Sequence, residues 1–223
     1  LRQSTGRTEW IFKAGGAIKG GAAYANGKLY IGAYGGSVYA VRAKNGQLVW
    51  RSTTQGARFG FGSGNFYATP AVAYGRVYIG NTDGKMYSFS SANGRLGWAR
   101  ATGPYVYGAA AVENVTKLGP TVFFGSYSGK FYALNAANGR TRWVYGSGGQ
   151  ISGAPTVVGK VVYFSTIDTT NTYGLATRTG KRVFARGSGA YNPAISDGHR
   201  LYLTGYESVS AYVKRSSYPR EAK

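Results

Sequence analysis

Apolar residues along this chain come in short alternating runs, and no long window shows a 3.6-residue period. Lys28-Leu29-Tyr30-Ile31-Gly32 and Arg76-Val77-Tyr78-Ile79-Gly80 show the pattern. β-Branched and aromatic runs bounded by glycines predict strands joined by tight turns.

The pattern repeats. Gly36 to Trp50 returns as Gly84 to Trp98 and Gly129 to Trp143, with a degenerate copy from Thr170 to Phe184. In each copy a tyrosine stands 11 residues before the final aromatic: Tyr39/Trp50, Tyr87/Trp98, Tyr132/Trp143 and Tyr173/Phe184. A second aromatic (Tyr30, Tyr78, Phe123, Tyr163) precedes each tyrosine by 9, 9, 9 and 10 residues. Earlier still lie small-residue stretches such as Ala68-Thr69-Pro70-Ala71-Val72 and Gly153-Ala154-Pro155-Thr156-Val157. Each unit therefore predicts four strands. From Trp10 onward the terminal aromatics are spaced 40, 48, 45 and 41 residues apart. Four strands at that period predict a β-propeller, all-β and a single domain over 1–223.

Both ends fit the repeat. The last unit, from Tyr191, has three strands and lacks a fourth. Thr5–Trp10 reads as an orphan fourth strand that would pair with it and remove two open edges. The chain thus holds five blade-equivalents, either a ring closed by the N-terminal strand or part of a larger ring. Leu1 in place of an initiator Met points to a trimmed parent.

The unit Gly-Lys-(Val/Leu)-Tyr-Ile-Gly…Gly-x-(Val/Phe)-Tyr-Ala-Leu-x-Ala-x-(Asn/Thr)-Gly-x-x-x-Trp resembles the PQQ-like β-propeller repeat. That family includes quinoprotein dehydrogenases and propeller lipoproteins that assist outer-membrane protein assembly. The resemblance implies four-stranded blades and an extracytoplasmic location: periplasm, cell surface or secreted. It leaves function open, because the repeat itself is structural.

Composition narrows the chemistry. Cysteine is absent, so disulfides, thiolate zinc sites and Cys nucleophiles are excluded, and His199 is the only histidine. The seven acids, Glu9, Asp83, Glu113, Asp168, Asp197, Glu207 and Glu221, are dispersed over the units. A quinone enzyme's Ca²⁺ site needs clustered oxygens, so the expectation is no catalytic residue, no cofactor and no metal. No apolar run is long enough to span a membrane. Trp10, Trp50, Trp98 and Trp143 recur at one repeat position, which argues for packing between blades. Asn45-Gly46, Asn93-Gly94, Asn138-Gly139 and Thr179-Gly180 read as hairpin turns, Asp83 as a turn residue, and His199 as a solvated turn residue.

Departures from the repeat point to a partner surface. The connection from Trp50 to Pro70 is about eight residues longer than its counterparts and rich in Gly and Phe. It would project Arg58, Phe59, Phe61 and Phe66 onto the face that also carries Tyr105, Tyr107, the 165–172 loop and Tyr191. Such an aromatic mouth is a ligand or partner patch; the other reading folds the loop back as a channel plug. The insertion Glu113–Pro120 reads as a surface loop on the opposite face.

Charge enters last. The chain has 27 Lys+Arg against 7 Asp+Glu, a net charge of +20. Fourteen of the basic residues fall in or beside first-to-second and third-to-fourth turns, all on that opposite face. Lys28, Arg76, Arg95, Arg140, Lys160, Lys181, Arg182 and Arg200 are its core. A basic face attracts anionic polymers, membrane surfaces or acidic proteins. The favoured expectation is a non-catalytic scaffold of the bacterial cell envelope that binds a protein partner or a polyanion. A nucleic-acid binder is the alternative, and a quinone-dependent dehydrogenase ranks a distant third.

Overall fold

The structure is a computed structural model describing residues 2–60, 62–187, 189, 194–205 and 207–213, with the backbone alone for Arg58. Blade 1 comprises β1 (Ala23–Ala25), β2 (Lys28–Ala33), β3 (Ser37–Arg42) and β4 (Leu48–Thr53). A one-turn helix, α1 (Gln55–Arg58), leads into blade 2: β5 (Ala71–Ala73), β6 (Arg76–Gly80), β7 (Lys85–Ser90) and β8 (Leu96–Ala101). Blade 3 holds β9 (Ala111–Val115), β10 (Gly119–Gly125), β11 (Lys130–Asn135) and β12 (Thr141–Gly146). Blade 4 holds β13 (Thr156–Val158), β14 (Val161–Ser165), β15 (Asn171–Ala176) and β16 (Arg182–Gly187). Blade 5 holds β17 (Ile195–Ser196), β18 (Arg200–Thr204) and β19 (Val209–Val213). Each blade is an antiparallel sheet in sequence order, and the short first strands of successive blades are neighbours. This is the expected propeller.

The core lies between blades, because the two middle strands bury both faces while the outer strand stays wet. In β6 and β7, nearly every residue is buried; in β16, nearly every residue is exposed. One layer joins Tyr30, Val38 and Trp50 of blade 1 to Val77, Ile79, Tyr87 and Phe89 of blade 2. Equivalent layers join blades 2 and 3, and blades 3 and 4.

The tryptophans stitch these layers, as their periodicity predicts. Trp10, Trp50, Trp98 and Trp143 donate through Nε1 to the carbonyls of Ala43, Ser91, Ala136 and Thr177, at 3.0, 3.2, 3.0 and 2.9 Å. Each acceptor belongs to the next blade. Trp10 thus takes the seat of an outer strand preceding blade 1, although residues 7–14 form no ladder and the described sheet of blade 5 has three strands. Every complete blade also carries a β-bulge on its outer strand, beside the terminal aromatic, at Val49, Gly97, Arg142 and Val183.

Beside the strand expected at Thr5–Trp10, which does not form, a second local expectation fails. Glu113–Pro120 is not a plain loop, because β9 and β10 extend their ladder to Val115↔Gly119. Thr116-Lys117-Leu118 alone turn the chain, with Lys117 at φ 68°.

Candidate functional site

Antiparallel order places the second-to-third turns and the blade-to-blade connections on one face. There the backbone forms a continuous hydrogen-bonded arc. Tyr34 N–H donates to Ala17 O, Phe66 to Ala33, Thr82 to Asn65, Val106 to Asn81, Tyr127 to Tyr105, Ile151 to Ser126 and Ile167 to Gln150, at 2.9–3.3 Å. The links alternate within and between blades, so the loops form one platform.

The platform carries a tyrosine cluster. Ring centroids of Tyr34 and Tyr67 are 6.1 Å apart, Tyr67 and Tyr107 5.3 Å, Tyr105 and Tyr107 5.3 Å, and Tyr107 and Tyr127 4.8 Å. Tyr105 also meets Tyr127 at 6.0 Å. Tyr67 and Tyr105 are exposed, while Tyr34, Tyr107 and Tyr127 are half-buried. Tyr107 stands in the middle. Burial first, then the surrounding phenols, pushes its hydroxyl up from the ordinary value. The neutral phenol is therefore favoured at Tyr107, and the cluster presents hydroxyls and ring edges together.

Of the residues expected on this face, Tyr105 and Tyr107 sit at its centre. Phe66 does not reach the surface. It is fully buried between blades 1 and 2, with its ring 5.6 Å from Tyr87 and 6.3 Å from Phe89. The reason is periodic: Phe66, Val106 and Ile151 each fill the hollow left by a glycine of the preceding blade, Gly32, Gly80 and Gly125. Phe59 is exposed but lines a separate groove of about 730 Å³ along the outer wall, with Arg51, Gln55, Arg95 and Leu96. Thr54 closes the start of the inserted loop, and Asn65 ties its end to Gly35 and Thr82. Thr54 caps α1 by accepting from Ala57 N–H at 3.2 Å and donates to Ser63 O at 3.0 Å. Phe61, Tyr191 and the side chain of Arg58 lie outside the described residues.

Tyr34, Tyr67 and Tyr127 escape the sequence reading. A signal existed for two of them, since Tyr34 and Tyr127 occupy one repeat position in the second-to-third turn, filled by Thr82 and Ile167 elsewhere.

The eight basic residues all lie in or beside turns of the opposite face. Lys28 and Arg76 are half-buried and the other six exposed. Among the described residues, Arg200 is the one of the eight with a carboxylate partner, Asp197 at 3.5 Å. Two acids of the tyrosine face, Asp83 and Asp168, are engaged locally. Asp83 bonds the Tyr87 hydroxyl and pairs with Lys85 at 3.2 Å, and Asp168 accepts from Gln150 N–H at 2.8 Å. Among the described residues no three His, Cys, Asp or Glu gather as a metal site, and no helix is long and apolar enough to cross a membrane.

Comparison with known proteins bears on the whole chain. The sequence profile of the outer membrane protein assembly factor BamB family matches residues 1–216. Among solved structures, BamB from Moraxella catarrhalis superposes with a TM-score of 0.75 at 19% identity, over 92% of this chain and 61% of that one. Quinohemoprotein alcohol dehydrogenase ADHIIG from Pseudomonas putida HK5 gives 0.71 at 16% identity, over 92% and 41%. The computationally designed Ika8 protein gives 0.69 at 14% identity, over 86% and 57%. These likenesses show the fold, and the chain spans less than two thirds of each of those proteins. No curated protein sequence matches it.

Proposed function

We propose that this chain, which belongs to the outer membrane protein assembly factor BamB family, is a non-catalytic propeller scaffold of the bacterial cell envelope that holds a protein partner on its tyrosine face. The observation that carries this reading is the cluster of Tyr34, Tyr67, Tyr105, Tyr107 and Tyr127. Tyrosine brings large contact area and a polar tip at low conformational cost, and it is enriched at protein interfaces. The hydrogen-bonded platform beneath the rings restricts them before a partner arrives, which lowers the ordering cost of binding. Family membership supports an extracytoplasmic location and a role in assembly. No catalytic residue, metal or cofactor enters this reading.

A photo-crosslinking amino acid at Tyr67 or Tyr105, in cells producing the native protein, tests it. Both positions should trap the same envelope protein, and a probe at exposed Val183 on the outer wall should not. Equal trapping at all three positions, or a cytosolic partner, overturns it.

A second reading, polyanion binding, rests on the seven basic-face cations that have no carboxylate partner among the described residues. Binding to nucleic acid would then weaken steeply as salt rises. Salt-independent binding, or none, removes it.

A further inference from the structure

On the basic face, the crevice between blades 2 and 3 differs from its counterparts. It encloses about 190 Å³ and is lined by Tyr74, Arg76, Leu118, Pro120, Ala137 and Arg142, among others. That volume is below the range of drug-sized ligand sites and suits a compact group. Two guanidiniums border it.

Arg142 stands at the bulge of β12, where Val49, Gly97 and Val183 stand in the other blades. A bulge re-aims the side chain it carries. Here it sends the guanidinium back to β10, where Nη1 donates to Gly119 O and Thr121 Oγ1, and Nη2 to Leu118 O. Burial lowers the proton affinity of this group. Arg76 lies across blade 2, with Nη1 3.3 Å from Ser88 Oγ. It can do so because residue 97 is glycine, whose Cβ would fall 1.9 Å from that nitrogen. Among the described residues, neither arginine has a carboxylate within ion-pair distance. Two partly desolvated cations facing neutral acceptors are costly, and an anion relieves that cost.

Tyr74 adds a second mark. It is 54% exposed and held at φ 50°, followed by Gly75 at 72°. The same turn in blade 1 is Asn26-Gly27, at 49° and 71°. Asn adopts that conformation readily, whereas a bulky aromatic residue adopts it only under strain. Strain of this kind is kept where a side chain is needed.

We propose that this crevice binds a compact phosphate group, with Arg76 and Arg142 as its guanidinium donors and Tyr74 at its rim. Guanidinium geometry suits phosphate oxygens, which accept two parallel hydrogen bonds. The positive face around the crevice raises the local anion concentration. The site is independent of the tyrosine face and of the scaffold reading.

Calorimetry in phosphate-free buffer tests it, with inorganic phosphate in one arm and vesicles of phosphatidylcholine with or without phosphatidic acid in the other. Saturable binding of phosphate, or of the phosphatidic acid vesicles alone, supports the site and identifies its source. Gly97→Ala displaces the Arg76 guanidinium without changing charge or forcing a positive φ. It should weaken binding by roughly tenfold, the fold-change of one lost charge-assisted hydrogen bond. Tyr74→Asn should also weaken binding while raising the melting temperature, which a purely structural tyrosine would not do. Lys130→Met, an equal loss of charge on the opposite face in blade 3, should leave binding unchanged. No binding in either arm overturns the proposal, as does a loss in Lys130→Met equal to that in Gly97→Ala.

Discussion

Gly94 lies directly beneath the indole of Trp50: a Cβ built on the glycine would fall 2.7 Å from Cε3 of the ring. Gly46, Gly139 and Gly180 meet Trp10, Trp98 and Trp143 in the same way. Each Asn-Gly or Thr-Gly turn therefore serves two ends. It closes a hairpin with positive φ, and it is the floor on which the preceding blade's aromatic rests.

Gly94→Ala should separate these roles when compared with Gly75→Ala. Both glycines have positive φ, at 75° and 72°, but nothing lies within 4 Å of a Cβ at Gly75. Gly75→Ala should cost the backbone penalty alone, about 1–2 kcal/mol. Gly94→Ala should cost about 1–3 kcal/mol more, the penalty of overpacking. Urea unfolding midpoints measure both. Equal losses would mean that Trp50 yields freely.

Phe66→Ala should destabilise the fold by about 3–5 kcal/mol, the cost of truncating a buried aromatic. Tyr105→Ala should cost at most about 1.5 kcal/mol, since it loses ring contacts at an exposed edge. The same unfolding measurement decides, and the reverse ranking would contradict the assignment of one residue to the core and the other to the surface.

Phe66 also shows how far the sequence could be read. Counted forward from Trp50 it falls inside an insertion, where no alternation separates inward from outward residues. Counted back from Pro70 it falls four residues before the first-strand Pro or Ala, as do Val106 before Ala110 and Ile151 before Pro155. The blades were legible because each repeats the same Tyr and Trp spacing, and every copy confirms the others. Tyr105 and Tyr107 were legible because a blade-to-blade connection must emerge on that face. Their contact with Tyr34, Tyr67 and Tyr127 was not, because it joins loops about 20 to 90 residues apart whose approach depends on how blades pack.

Alkaline pH should weaken the joint between blades 2 and 3 through Tyr78. Its hydroxyl donates to Ala136 O at 3.1 Å, and burial pushes its pKa up to about 12 from 10.0, partly opposed by Arg76. The folded state favours the neutral phenol. The contribution is therefore fully present below pH 10, the unfolded value, and is lost as pH rises through about 12. Tyr78→Phe should lower stability at neutral pH by about 1 kcal/mol, the net worth of one hydrogen bond, while Trp98 keeps its own bond to Ala136 O. It should also flatten the decline between pH 10 and 12. Parallel declines for the two proteins would refute the assignment to Tyr78.

Acid should act on blade 5 through Asp197. Its carboxylate accepts from Arg200 N–H at 2.6 Å, from the Tyr202 hydroxyl at 2.7 Å and from His199 N–H at 2.8 Å. These bonds, led by the Arg200 amide, hold its pKa well below the ordinary value of 3.8. A depressed folded value stabilises above the unfolded pKa, and the effect is lost as pH falls through the folded one. The turn joining β17 to β18 should thus keep its structure through the pH range in which ordinary carboxylates protonate, and loosen only below it. Carboxyl-carbon NMR of aspartate-labelled protein measures this directly. Amide exchange of His199 and Arg200 should accelerate over the same low-pH interval, after correction for intrinsic exchange, and Asp197→Asn should abolish that step. Titration of Asp197 near 3.8 would show that the three bonds do not favour its charged form.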